Sequence, residues 1–130
     1  MSTNKRTGQT LARQVPAADS GKLAVGVDRA GTIESLKLRI YRGAENTLRL
    51  KPQKKTNGGF ENLLDYGDGK AYVDGDDDIW EWSLSEPVTG DDEVVIRYEN
   101  RDGQNAHNFR ATVEIDYKGG LSRAISGVLP

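Results

Sequence analysis

Cysteine is absent from this 130-residue sequence, which excludes disulfides, thiolate metal sites and cysteine nucleophiles. His107 is the one histidine, so a multi-histidine zinc site is excluded as well. No segment approaches the about 20 apolar residues of a membrane helix, and the opening MSTNKRTGQTLARQVPAADSGK lacks the apolar stretch of a secretory signal. Synthesis in a cytoplasm and no membrane partner are therefore expected. Aromatic residues are few, with two Trp, two Phe and five Tyr. Without covalent staples, packing must hold the fold; a single domain of this size can remove roughly two-thirds of its unfolded surface from water.

What is present is charge, unevenly distributed. The formal net charge is −2, yet residues 1–55 carry 12 Lys/Arg against 4 Asp/Glu, and residues 56–130 carry 6 against 16. The two halves are thus +8 and −10. Either they interleave in one sheet system and neutralise each other, or the surface is bipolar and lets copies stack or meet charged partners.

Residues 1–19 are polar and basic, with neither helix nor strand period, and read as an N-terminal extended arm; residues 20–130 read as a single β-sandwich domain. Lys22 to Val27 is a short strand. Leu36, Leu38 and Ile40 then alternate with Lys37, Arg39 and Tyr41, the mark of a half-buried strand. Leu48 and Leu50 repeat the pattern before Pro52, which signals an edge or an exit. Trp80, Trp82 and Leu84 share one face, as do Val94, Ile96 and Tyr98, and Phe109, Ala111, Val113, Ile115 and Tyr117 alternate without a break. The Asp102-Gly103 turn reads as a long-looped hairpin joining the last two, and Gly119-Gly120 leads into a final strand over residues 121–128. Between Thr56 and Gly67 the period changes: Phe60, Leu63 and Leu64 fall at i, i+3 and i+4, with Asn57 as cap and Gly67 as stop. The expected fold class is all-β, an antiparallel β-sandwich or jelly roll with one short helical insertion and an N-terminal extended arm.

The run Asp74-Gly75-Asp76-Asp77-Asp78 places Asp74, Asp76 and Asp78 at positions 1, 3 and 5 of an EF-hand loop, which suggests calcium. Position 6 is Ile79 instead of glycine and position 12 is Ser85 instead of glutamate, so an EF-hand is excluded. A looser calcium site would recruit Asp65 and Asp68; the alternative is a solvated turn whose aspartates bond their own backbone. Trp80 and Trp82 are either core residues or a platform for a glycan. His107 sits in a polar loop with no positioned nucleophile marked near it, and reads as a surface residue. Lys51, Lys54 and Lys55 form a dense basic cluster without interleaved aromatics, so stacking on bases is not indicated and nucleic acid is not an expected partner. No cofactor and no enzymatic activity are expected.

A basic polar arm, a start without a signal, a cysteine-free Asp- and Gly-rich sandwich and no catalytic constellation together resemble the small structural proteins of tailed double-stranded DNA virus particles. That resemblance implies a non-enzymatic virion protein associated with capsid, turret or tail, with copies of itself and other virion proteins as partners. It carries no site residues. A different class of function is a carbohydrate-binding module, with Trp80 and Trp82 as platform and calcium at Asp74, Asp76 and Asp78.

Overall fold

The computed structural model describes residues 4–64 and 72–118. Their alternating apolar residues form eight strands: β1 (Asn4–Val15), β2 (Ser20–Gly26), β3 (Gly31–Ile40), β4 (Leu48–Thr56), β5 (Gly59–Asn62), β6 (Asp78–Val88), β7 (Glu93–Asn100) and β8 (His107–Lys118). Pairing is nested and antiparallel: β1 with β8, β2 with β7, β3 with β6 and β4 with β5. Two further pairings, β3 with β8 and β4 with β7, roll this long hairpin into two four-stranded sheets, β1-β8-β3-β6 and β2-β7-β4-β5. The result is an antiparallel β-sandwich with the strand order of an eight-stranded jelly roll.

The facing sides of the sheets make the core. Leu36, Leu38 and Ile40 meet Phe109, Ala111, Val113 and Ile115 within one sheet and oppose Leu48, Leu50, Val94 and Ile96 of the other, all almost completely buried. Each large aliphatic or aromatic side chain so buried stabilises the fold by about 1.5–3 kcal/mol. A bulge between Ile33 and Ser35 resets the alternation, so that Ile33 and Leu36 both face inward. Pro52 lies buried within β4 and does not end it; its carbonyl accepts from the Leu63 amide at 3.1 Å, just beyond the last β4–β5 pair. The missing proline N–H therefore faces the side where β5 has stopped, and the β7 ladder loses no bond.

Three sequence expectations are corrected. First, no helix forms between Thr56 and Leu64: Asn57-Gly58 is the turn of the β4–β5 hairpin, closed by the Thr56–Gly59 pair, with Gly59 at φ 127° where side chains are rarely accommodated. The spacing of Phe60, Leu63 and Leu64 spans a strand and its exit, Phe60 being exposed and Leu64 buried. Second, residues 4–15 of the expected arm are extended but laid along β8 of the same chain, with Val15 fully buried and Leu11 packed against the core. An edge strand with much of its surface in solvent needs few apolar residues, which is why it read as featureless. Third, β7 and β8 are not a hairpin; they belong to different sheets, and the loop between them crosses the sandwich. The expected Gly67 stop, the Gly119-Gly120 turn and the strand over 121–128 lie outside the described residues.

That crossing is tied by a polar knot. The buried Asn100 amide donates to the carbonyls of Val15, Pro16 and Asn105 at 2.9–3.2 Å, and its Oδ1 accepts from the Asp102 amide. Asp102 Oδ1 accepts from the Gln104 and Asn105 amides, while Oδ2 accepts from the Asn105 side chain and from His107 Nε2 at 2.9 Å. His107, expected on the surface, is buried at the first position of β8, because the loop folds back and supplies its partner. The Gln104 amide first, then His107 and Asn105, hold the Asp102 carboxyl well below the usual carboxylate range. A carboxylate whose folded pKa is depressed stabilises the fold above its unfolded pKa, and the contribution is lost as pH falls toward the folded value. Asp102→Ala should therefore lower the melting temperature at pH 7, and the gap to the wild type should narrow as pH drops below about 4. A gap that stays constant from about pH 7 to about pH 3 in thermal melts would contradict this account.

Candidate functional site

Sheet edges are where unpaired backbone groups and exposed side chains coincide. β5 edges one sheet and β6 the other, and Lys54 of β4 links them. Its ammonium lies 2.6 Å from Glu86 of β6 and 3.4 Å from Glu61 of β5, and donates to the Pro87 carbonyl at 3.1 Å. Lys54 is only 7% exposed, although the sequence placed it in a solvated cluster with Lys51 and Lys55. Strand alternation explains the difference: Lys51 and Lys55 project from the outer face while Lys54 turns inward and spans the gap between the sheets. Hydrogen bonding to Glu86 outweighs desolvation and raises the Lys54 pKa above its ordinary 10.5.

The aspartate run precedes β6. Asp76 Oδ1 accepts from the amides of Gly43 and Glu45 at 2.7 and 3.3 Å, Asp78 Oδ2 accepts from the Asp76 amide at 2.8 Å, and Asp77 pairs with Arg39 at 2.6 Å. Gly75 is buried, and a Cβ there would collide with the Asp78 carboxylate. Asp74 is half-buried beside it. These carboxylates therefore clip the β3–β4 loop to the start of β6. Among the described residues no three His, Asp or Glu side chains gather as a metal-holding group. Asp65 and Asp68, which a looser calcium site would need, lie outside those residues.

Trp80 and Trp82 follow on the inward face of β6, opposite Leu38 and Leu36 of β3. Trp82 is partly buried and, with Leu84, packs against the core, whereas Trp80 is 37% exposed at the mouth of the sandwich. The rings stack with centroids 6.2 Å apart and planes within 8°. A stack presents its outermost ring to solvent, not a floor of two rings, so Trp80 is the contact surface and Trp82 its support. Ile79, on the opposite face, is 56% exposed. Sequence periodicity paired the tryptophans correctly; it did not show that β6 is an edge, which depends on the order of strands in the sheet.

The outer face of the other sheet is basic and aromatic in space, which the sequence reading missed. Phe60 is ringed by Arg97, Lys22 and Lys55, with the cations 4.6, 5.5 and 5.9 Å from its centroid, and Arg49 lies 4.4 Å over Tyr72. The aromatics come from β5 and the segment before β6, too far along the chain for local pattern to reveal.

No protein-family model matches this chain, and no curated protein matches it. Solved structures share its fold at low identity. A subunit of Bacillus endospore appendages, described as a novel family of disulfide-linked pili, is 9% identical over 91% of this chain and 90% of that one, with a TM-score of 0.55. The Yersinia pseudotuberculosis-derived mitogen is 11% identical over 82% and 84%, with a TM-score of 0.51. The subviral-particle protein VP2 of infectious bursal disease virus is 12% identical over 90% of this chain and 33% of that one, at 0.45. Pilus and virus-particle proteins are thus among the structures resembling it, and at these identities the likeness shows the β-sandwich fold alone.

Asp76→Ala should cost about 1–2 kcal/mol through the two lost backbone contacts, and calcium should shift the melting temperature of neither protein; a calcium-dependent rise in the wild type that Asp76→Ala abolishes would restore the metal reading. Lys54→Ala should cost about 2 kcal/mol, whereas Lys54→Met, which keeps the volume, should cost less. The advantage of lysine over methionine at this position should vanish as pH rises beyond 10.5, because a raised ammonium pKa stabilises the fold only while the proton is held. Urea unfolding from about pH 7 to about pH 11.5 reads both.

Proposed function

We propose that this chain is a non-enzymatic structural protein of a virus particle, associated with capsid, turret or tail, that assembles with copies of itself and with other virion proteins. One observation carries the reading. Ile79 and Trp80 are two of the three large apolar side chains exposed among the described residues, and they are adjacent on β6, whose outer backbone groups meet no partner strand among those residues. Edge strands of monomeric proteins are ordinarily blunted by charge or proline. Glu86 and Pro87 do this in the second half of β6, while in its first half Ile79 and Trp80 stand exposed between Asp78 and Glu81. A second copy docking there would cover Ile79 and the outer ring of the Trp stack. The Bacillus appendage protein is disulfide-linked; this chain has no cysteine, so its contacts would be noncovalent.

A second reading, glycan binding, is favoured by the exposure of Trp80. It places a sugar on the same ring that the assembly reading covers. Titration separates the two, since a sugar on Trp80 changes tryptophan fluorescence at constant mass.

Light scattering over a wide range of concentration tests assembly. Wild-type protein should associate, and Ile79→Glu and Trp80→Ser should weaken association about tenfold or more without loss of the β-sheet circular dichroism. Wild-type protein that stays monomeric throughout, together with variants that enter particles normally, would rule the proposal out.

A further inference from the structure

The five ion pairs that Lys and Arg make among the described residues all join a cation from the first 55 residues to an acid beyond them: Arg39–Asp77, Arg49–Glu99, Lys54–Glu61, Lys54–Glu86 and Lys55–Glu93. The nested pairing produces this, because it sets each early strand against a late one. Among the described residues, two places set like charges opposite each other: Arg39 faces Arg110 across β3 and β8, where Asp77 pairs with Arg39, and a longer row has no such acid. On the outer face of the β2-β7-β4-β5 sheet, Lys22 is opposite Arg97 and Arg97 is opposite Lys51. Three cations thus stand in one row across three strands, at the strand spacing of about 4.8 Å. Like charges directly opposite destabilise a sheet, and among the described residues none of the three has a carboxylate within ion-pair distance.

The row borders a pocket of about 520 Å³, whose lining includes Arg49, Lys51, Arg97, Ser20 and Tyr72, with Glu99 as its one carboxylate. The positive groups are held in place. Arg97 donates from Nε to Gln53 Oε1 at 2.7 Å and lies against Phe60, and Gln53 is fixed in turn by donating to Asn62 at 2.9 Å. Arg49 stacks on Tyr72 with its Nε buried and without an acceptor among the described residues. A guanidinium pinned through one nitrogen still offers the rest of its fork, and that fork matches a tetrahedral or planar oxyanion.

From this we infer that the pocket binds the oxyanion of a small ligand, a sulfate or phosphate ester, with Arg97 and Lys51 as the primary contacts, Arg49 as a second cation and Lys22 contributing field from the row. The ligand relieves the repulsion within the row. The site lies on the outer face of the sheet opposite β6, so it is independent of the assembly edge.

Thermal melts in sodium sulfate, sodium phosphate and sodium chloride at matched ionic strength and pH read the site directly. Sulfate and phosphate should raise the wild-type melting temperature over chloride. Lys51→Gln and Arg97→Gln should abolish that difference; Lys51→Gln, which removes a like-charge contact and breaks no hydrogen bond among the described residues, should also melt no lower than the wild type in chloride. Titration calorimetry with a sulfated disaccharide and with a mononucleotide then distinguishes the sources of the ester. Tighter binding of either than of the free ion, reduced about tenfold or more by Lys51→Gln, supports the site and names its ligand class. Equal melting in all three salts, or an anion effect that persists unchanged in both variants, overturns the inference.

Discussion

Nested antiparallel pairing is the constraint on which the rest of this structure depends. Strands from the first half of the chain find partners only in the second half, outermost with outermost, until the hairpin closes at Asn57-Gly58. Folding must therefore bring together residues as far apart as Asn4 and Lys118 before the first sheet is complete. Such non-local contacts carry a large loop-closure cost, and something beyond generic apolar burial must favour the correct partners. Charge supplies part of that selectivity. A basic half that pairs strand by strand with an acidic half is attracted to the right register and repelled from pairing with itself. The +8/−10 split is in this light partly an intramolecular code, since the ion pairs of the described residues join the two halves.

The same nesting leaves the β5–β6 side open, and Lys54 is the response. An apolar residue at this position would leave Glu86 and the Pro87 carbonyl without a donor at the mouth of the sandwich. A lysine reaching inward from the adjacent sheet bonds both and adds Glu61. The desolvation cost of the ammonium is contained because Glu61 and Glu86 remain partly in water. Trp82 and Leu84 then continue the seal along β6, and Trp80 is left where the seal ends.

How much of this was legible in the sequence follows from the range of the interactions involved. Leu36, Leu38 and Ile40, or Phe109 through Tyr117, announce their strands because a one-sided sheet imposes period two on every residue, and that pattern is local. The inward turn of Lys54, the burial of His107 and the edge position of β6 depend on residues well separated along the chain. Local cues could also mislead. Asn57 next to glycine was a hairpin signal that a chance i, i+3, i+4 spacing made look like a helix cap. The donors that Asp76 of the aspartate run accepts from, the amides of Gly43 and Glu45, belong to another loop and were not legible locally.

The aspartate clip has a further consequence for the edge. Asp76 and Asp77 bind the β3–β4 loop and Arg39, so the first residues of β6 are held from both sides before the strand begins. Ile79 and Trp80 are presented immediately after this fixed point, on a backbone with little freedom left to lose. Association through a pre-ordered strand forfeits less conformational entropy than association through a free arm. The segment that the sequence offered as an arm is meanwhile committed to β8 over residues 4–15. Under the proposed assembly, the ordered edge, rather than a free terminus, would thus be the surface on which a neighbouring subunit gains the most for each contact it makes.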